Sequence, residues 1–414
     1  MNHQKDNQSS HGKNDFYYGF IVVAAAFFIM LIIYGIQYTF GTFFKPILSD
    51  FGWSRALTSG AFSLTWFMTG LMSILVGGLN DRFGPRLVIT INGFIAGAGF
   101  ILISQISAAW HLYLFYGVMV GAGISVYVPL LSTVARWFVH RRTTMSGIVV
   151  TGIGIGMLIA PIISNWLIVN YTWRTACIII GIAVLILVVS AAQFLKRDPT
   201  EVGQPLFGES KITAAIADLE ARAFSFREAI STRQFWLSFV MFFGFGYCLL
   251  TVLVHLTPYS TDQGITSATA AEILGTVGGA SIVGRLALGS LGDKIGNRNG
   301  FIISFTFMLL SILWLIKSGE AWSLYLFAAV FGLAYGNIVA NHSPLVATLF
   351  GLSSHGLILG FVNFGFNFGA TLGPIVSGYL FDLTGSYKIA FIICAVICAI
   401  GLLSTMLLKP LKHK

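Results

Sequence analysis

Charge is what this sequence has least of. Asp, Glu, Lys and Arg make up 9% of its 414 residues, against roughly 25% in soluble domains, which excludes an ordinary water-exposed surface. Cysteine is scarce too. Cys177, Cys248, Cys394 and Cys398 all fall inside apolar runs, so neither a disulfide framework nor a metal site is expected, and the four read as small buried apolar side chains. Histidines at metal-ligand spacing, paired carboxylates within an apolar run and a glycine-rich phosphate loop after a strand are all missing. The "GIGIG" at 152–156 lies in an apolar run and is no nucleotide loop. No enzyme, catalytic residue, metal or cofactor is expected.

Apolar residues are what the chain has instead: 56% of the total, with a mean hydropathy of +0.83. Windows of about 20 residues, the length that crosses a hydrocarbon core as a helix, fall near 17–40, 58–79, 87–106, 111–135, 144–168, 175–195, 234–257, 268–290, 300–316, 322–347, 356–378 and 387–408. The chain reads as an all-α membrane protein with 12 transmembrane helices. Its first sixteen residues are polar and the next run is long enough to span, so no cleavable signal peptide is read. The formal net charge of +9 is a consequence of topology. With the N-terminus in the cytoplasm, eighteen of the 24 Lys and Arg lie in the tails and loops on that side, five lie opposite (Lys45, Arg55, Arg174, Lys317, Lys388), and Arg285 alone is left in a helix. This positive-inside asymmetry places both termini inward, in the cell (inner) membrane, and needs no nucleic-acid partner.

The chain also repeats itself. A shift of 212 residues lays Pro46 on Pro258, Asp50 on Asp262, and "GGLNDRFGPR" (77–86) on "GSLGDKIGNR" (289–298). A shift of 213 lays Gly147, Gly152, Gly156 and Pro161 on Gly360, Gly365, Gly369 and Pro374. Two six-helix halves, 17–195 and 234–408, are therefore expected around a central site, joined by a polar loop at 196–233 and flanked by cytoplasmic tails at 1–16 and 409–414.

The doubled loop, with Gly77, Asp81, Arg82, Gly84 and Arg86 in one copy and Gly289, Asp293, Lys294, Gly296 and Arg298 in the other, resembles the signature of the major facilitator superfamily. The resemblance implies that fold, with the two loops acting as gates. A finer likeness comes from Trp137, Phe138, Arg141, Arg142, Gly147, Gly152 and Gly156, which resemble the fifth-helix signature of the monocarboxylate porters, largely shared by the oxalate:formate antiporters. Asp15 ahead of "YYGF" resembles the first-helix pattern more loosely. Arg141 and Arg142 join the expected gating set.

By its distance from the second loop, Arg285 matches the eighth-helix arginine that family members use to hold a substrate carboxylate. Where many animal members have an aspartate one turn earlier, this chain has Ser281, and where they have a lysine late in the first helix it has Tyr38. Both changes remove an ionisable group linked in the family to proton coupling. Relatives that carry oxalate have a helix-eleven lysine, absent here, so one negative charge on a small acid such as lactate, pyruvate or acetate suits the single cation.

An arginine at membrane depth costs at least ~2.5 kcal/mol and is tolerated beside a partner or a water-filled cavity. No Asp or Glu lies mid-span to pair with it, and Glu272 stands thirteen residues away at the outer end of the same helix. The missing partner is read as the substrate, against the alternative that the arginine snorkels to the cytoplasmic face. Tyr127 and Tyr335, mid-span, are further binding candidates. So are Tyr38, Ser281, Asn363 and Asn367, while Asn337 and Gln37 are weighed against hydrogen bonding between helices. His255 is the candidate proton relay, and His342 and His355 read as rim residues. A proton-coupled symporter that works as a monomer by alternating access is expected. An organic-anion exchanger or a transporter-derived sensor are the alternatives.

Overall fold

Helix starts are set by local chemistry: Ser54, Thr172, Thr232 and Thr266 each accept a hydrogen bond from the backbone N–H three residues on, satisfying a donor that the helix cannot. In the computed structural model, which describes residues 17–138, 141–204 and 224–409, these caps open four of twelve membrane-length helices. In chain order they are α1 (Gly19–Phe51), α2 (Leu57–Phe83), α3 (Pro85–Ile103), α4 (Ala109–Trp137), α5 (Arg142–Asn170), α6 (Trp173–Ala192), α7 (Arg233–Asp262), α8 (Ala268–Leu288), α9 (Asn297–Leu315), α10 (Ala321–Phe350), α11 (His355–Thr384) and α12 (Lys388–Leu407). The N-terminal tail with Asp15, residues 139–140, residues 205–223 of the central loop and the C-terminal tail from 410 on lie outside the described residues. Of that loop's described part, Phe226–Ile230 forms a short helix capped by Ser225 and Glu228.

Several helices overrun their apolar windows. Pro46 and Pro258, beyond the windows ending at 40 and 257, both stand inside helices that continue to Phe51 and Asp262. A proline kinks a helix without ending it where neighbours take up the freed backbone groups. The two turns that do reverse the chain sharply, after α2 and after α8, hold Gly84 at φ 80° and Gly296 at φ 86°, a conformation open to glycine. The face carrying these turns is called proximal below, and the face carrying Gly52, Gly264 and Gly385 distal.

The internal repeat is visible in packing. Within the first half, Gly156 of α5 lies so close to α1 that a Cβ would stand 2.2 Å from the Leu31 carbonyl oxygen. Within the second, Gly369 of α11 meets the Phe243 carbonyl of α7 at 2.0 Å. The glycines are related by the shift of 213 and the carbonyls by the shift of 212. With lipid outside, apolar burial does little to draw helices together, and close backbone approach through small residues takes its place. Helices α3, α6, α9 and α12 turn large apolar side chains such as Phe94, Ile186, Leu310 and Leu403 outward, as a surface facing hydrocarbon requires. The others surround the centre.

Candidate functional site

The halves meet on the proximal side through two matching contacts. On α2, Asp81 accepts hydrogen bonds from the N–H groups of Gly356 (3.1 Å) and Leu357 (3.0 Å), in the first turn of α11, and pairs with Arg136 of α4 at 2.9 Å. Beyond α8, Asp293 accepts from the N–H groups of Thr143 and Thr144, both at 3.0 Å, and from the Thr144 hydroxyl at 2.6 Å, in the first turn of α5. A carboxylate at a helix N-terminus satisfies orphan donors and faces the positive end of the helix dipole. Each half thus holds a helix of the other.

The remaining expected gating residues are peripheral to these contacts. Arg82, Arg86, Arg141, Lys294 and Arg298 are exposed. Arg86 donates to Gln193 and Arg298 to the Thr405 carbonyl, each within its own half. Arg142 is buried and donates to the Ala135 carbonyl. Arg136, which sequence reasoning passed over, is the residue that joins Asp81.

Above this seal lies a central cavity of about 600 Å³, counted to its open mouth. Tyr38, Tyr127, Tyr335, Asn363 and Asn367 line it, together with Tyr34, Trp66, Phe245, Phe366 and His342. No acid or lysine is among the lining side chains. Asn367 donates to the Asn363 carbonyl on its own helix. Asn337, by contrast, bonds Ser304 of α9 and so ties helices together.

Arg285 stands beside this cavity, 1% exposed, in a π-helical turn at Gly284–Leu288 that interrupts α8 toward its proximal end. Its guanidinium donates to the Val150 carbonyl (2.8 Å) and the Tyr335 hydroxyl (2.7 Å), and lies 5.1 Å from the Tyr335 ring centre. Its Nε has no partner, and no carboxylate among the described residues pairs with it. These are neutral acceptors around an intact positive charge. The indole N–H of Trp66, in the cavity wall, is likewise without an acceptor.

Three expectations are corrected by position. Ser281 is buried in the contact of α8 with α10, with its hydroxyl turned back on the Gly278 carbonyl. It is not among the cavity-lining residues. His255 lies near the distal end of α7, bonded through its two nitrogens to the Tyr387 hydroxyl and the Pro374 carbonyl; the histidine of the cavity wall is His342. His342 and His355 are not on the rim: they are 3% and 0% exposed. The ends of α10 and α11 pack against α4, where His355 bonds Ser132.

A twofold-repeated set of twelve membrane helices around a cavity, with matched contacts between halves at one face, defines a multi-pass membrane transporter. The family profile of the Major Facilitator Superfamily matches residues 26–291 and, again, 259–414, and the chain belongs to that superfamily. Among similar proteins, Monocarboxylate transporter 13 of Rattus norvegicus is 27% identical over 392 residues, covering 93% of this chain and 87% of the relative. Monocarboxylate transporter 11 of Mus musculus is 28% identical over 402 residues, covering 93% and 86%. Among solved structures, the proton:xylose symporter XylE bound to 6-bromo-6-deoxy-D-glucose superposes with a TM-score of 0.77 at 14% identity, covering 93% of this chain and 94% of that one. That likeness is one of fold. These relatives are transporters, so the chain is a transporter of a small molecule and not an enzyme.

Proposed function

We propose that the protein carries a small monocarboxylate of the lactate or pyruvate type across the membrane together with a proton, by alternating access. The observation that carries this is Arg285: a buried guanidinium with an unpartnered Nε, no carboxylate, and two neutral acceptors, one of them the movable hydroxyl of Tyr335. An incoming carboxylate takes the place of that hydroxyl and forms the two-pronged pair that a guanidinium favours. Pairing removes the cost of closing a bare charge into a dry site, and the halves then rock about the fixed cavity, breaking the Asp81 and Asp293 contacts. Tyr38, Tyr127, Asn363 and Asn367 surround the rest of the substrate. The names of the relatives support the substrate class, and the lysine and arginine asymmetry supports proximal as the cytoplasmic face of a cell's inner membrane. The protein acts as a single chain.

A second reading, exchange of one organic anion for another, is favoured by one observation: Ser281 and Tyr38 are neutral where the resembling family carries acid and lysine. Purified protein in liposomes separates the two. Uptake of labelled L-lactate should rise when an inward proton gradient is imposed. Uptake indifferent to the gradient would leave exchange, and absence of both uptake and counterflow would refute monocarboxylate transport.

A further inference from the structure

His342 is a buried ionisable group that the carboxylate site leaves unused. The Tyr127 hydroxyl lies 3.1 Å from the Val339 carbonyl and 3.3 Å from Nδ1 of His342. A carbonyl can only accept, so the hydroxyl hydrogen goes to Val339, and Nδ1 carries the hydrogen given to Tyr127. Nε2 is left with its lone pair, buried and without a partner. The imidazole stacks on Phe242 at 3.7 Å between ring centres and 27° between planes, an aromatic face that favours a cation. It lines the cavity seven residues from Tyr335 on α10, on the same face and about 10 Å further toward the proximal side.

The ionisable groups around it are few. Tyr127 faces it from α4 and His355 from α11, while Arg285 of α8 and Tyr335 of its own helix stand near Tyr127. From α7 comes Phe242, backed by Phe301 of α9, and neither titrates. Among the described residues no carboxylate pairs with it. On the proximal side, His355 bonded to Ser132 and the Ser343 carbonyl, and Asp81 bonded to Arg136, stand between it and the outside. It sits at the cavity floor, where the seal begins.

We propose that His342 is the proton-binding group of the transport cycle; this rests on the monocarboxylate reading above. Nε2 takes a proton from water in the cavity while Arg285 holds the carboxylate, and returns it to water at the proximal face once the seal opens. One N–H bond forms and later breaks, and nothing is oxidised or reduced. The loaded site holds two cations and one anion and the empty site one cation. Their net charge is equal, so the two crossings cancel and the complete cycle, one proton and one monocarboxylate, moves no net charge through the membrane. His255 differs from it in having both nitrogens engaged, by the Tyr387 hydroxyl and the Pro374 carbonyl.

The test uses L-lactate as probe and full-length protein in liposomes. In His342→Gln, counterflow of labelled L-lactate should stay within about threefold of the wild type, while accumulation driven by an inward proton gradient falls at least ~10-fold. His255→Gln should keep both. Gradient-driven accumulation surviving in His342→Gln, or lost in His255→Gln alone, would overturn the assignment. A second measurement needs no variant: calorimetric titration of the wild type in buffers of differing ionisation enthalpy should show about one proton taken up per L-lactate bound. No proton uptake on binding overturns the proposal even if His342→Gln fails to fold. A wild type that performs counterflow yet ignores the gradient overturns symport and this site together, leaving monocarboxylate transport standing.

Discussion

Asp81 and Asp293, 212 positions apart, grip equivalent helix starts in opposite halves: Asp81 takes the N–H groups of Gly356 and Leu357, Asp293 those of Thr143 and Thr144. The acceptor and donor positions obey the same repeat that aligns the sequence with itself. Each half is therefore fastened to the other by a copy of one device.

Removing the formal charge weakens either latch. A carboxylate at a helix N-terminus contributes about 1 kcal/mol, which corresponds to roughly a fivefold shift in a two-state equilibrium. Asp81→Asn and Asp293→Asn should each move the population toward a proximally open state. The latches share no residue, so their effects should add. Pulsed electron-resonance distances between labels at the exposed positions Arg82 and Lys294 would report it, and unchanged distance distributions in the double variant would refute the latch.

Native cysteines will not interfere with such labelling. Cys177, Cys248, Cys394 and Cys398 are no more than 1% exposed, and burial in an apolar setting keeps a thiol inert. Folded protein should take up no maleimide until detergent-denatured. Stoichiometric labelling of the native protein would contradict the packing of α7 against α12.

Arg285 should separate binding from stability. Replacing a buried, uncompensated charge with an apolar side chain of similar reach removes a desolvation cost. Arg285→Met should thus melt at the wild-type temperature or above it, while L-lactate affinity falls by ~100-fold or more. Arg285→Lys, which keeps the charge and loses the fork, should retain part of the affinity. A lowered melting temperature with intact affinity in Arg285→Met would make the arginine structural.

Two glycines should behave differently although both are crowded. A Cβ on Gly156 meets the Leu31 carbonyl within the first half, and one on Gly77 meets the Gly356 carbonyl across the halves at 2.1 Å. Overpacking of this kind costs about 1 to 3 kcal/mol. Gly156→Val has no escape and should lower the melting temperature by several degrees. Gly77→Val can relieve its clash by parting the halves, so it should change the Arg82 to Lys294 distance instead. Equal melting losses in both would show that the α2 and α11 contact is not a moving one.

Much of this architecture is legible in the sequence because the bilayer imposes length and the repeat imposes symmetry: the twelve spans and the Asp81 and Asp293 equivalence come from both. Which face of each helix turns inward is not. Trp66 and Tyr34 belong to the cavity wall, yet the apolar residues of α1 and α2 are not confined to one face, and lipid and protein interior select the same side chains. Arg136 is hidden for a related reason, since Arg141 and Arg142 a turn later are the more obvious basic pair. His342 and His355 look peripheral in the sequence because they stand near helix ends, and a helix end need not face water. The loop-side ends of α10 and α11 are buried against α4.

The π-helical turn at Gly284–Leu288 holds the arginine beside the cavity and leads on to the aspartate of the latch. One extra residue in a helix sets the succeeding turns back in phase by about 100°. Along this one rod, then, Arg285 and Asp293 are aimed like two hands of a clock. A wide turn that tightened to ordinary pitch would sweep one past the other, making this stretch a mechanical phase shifter between cargo and bolt.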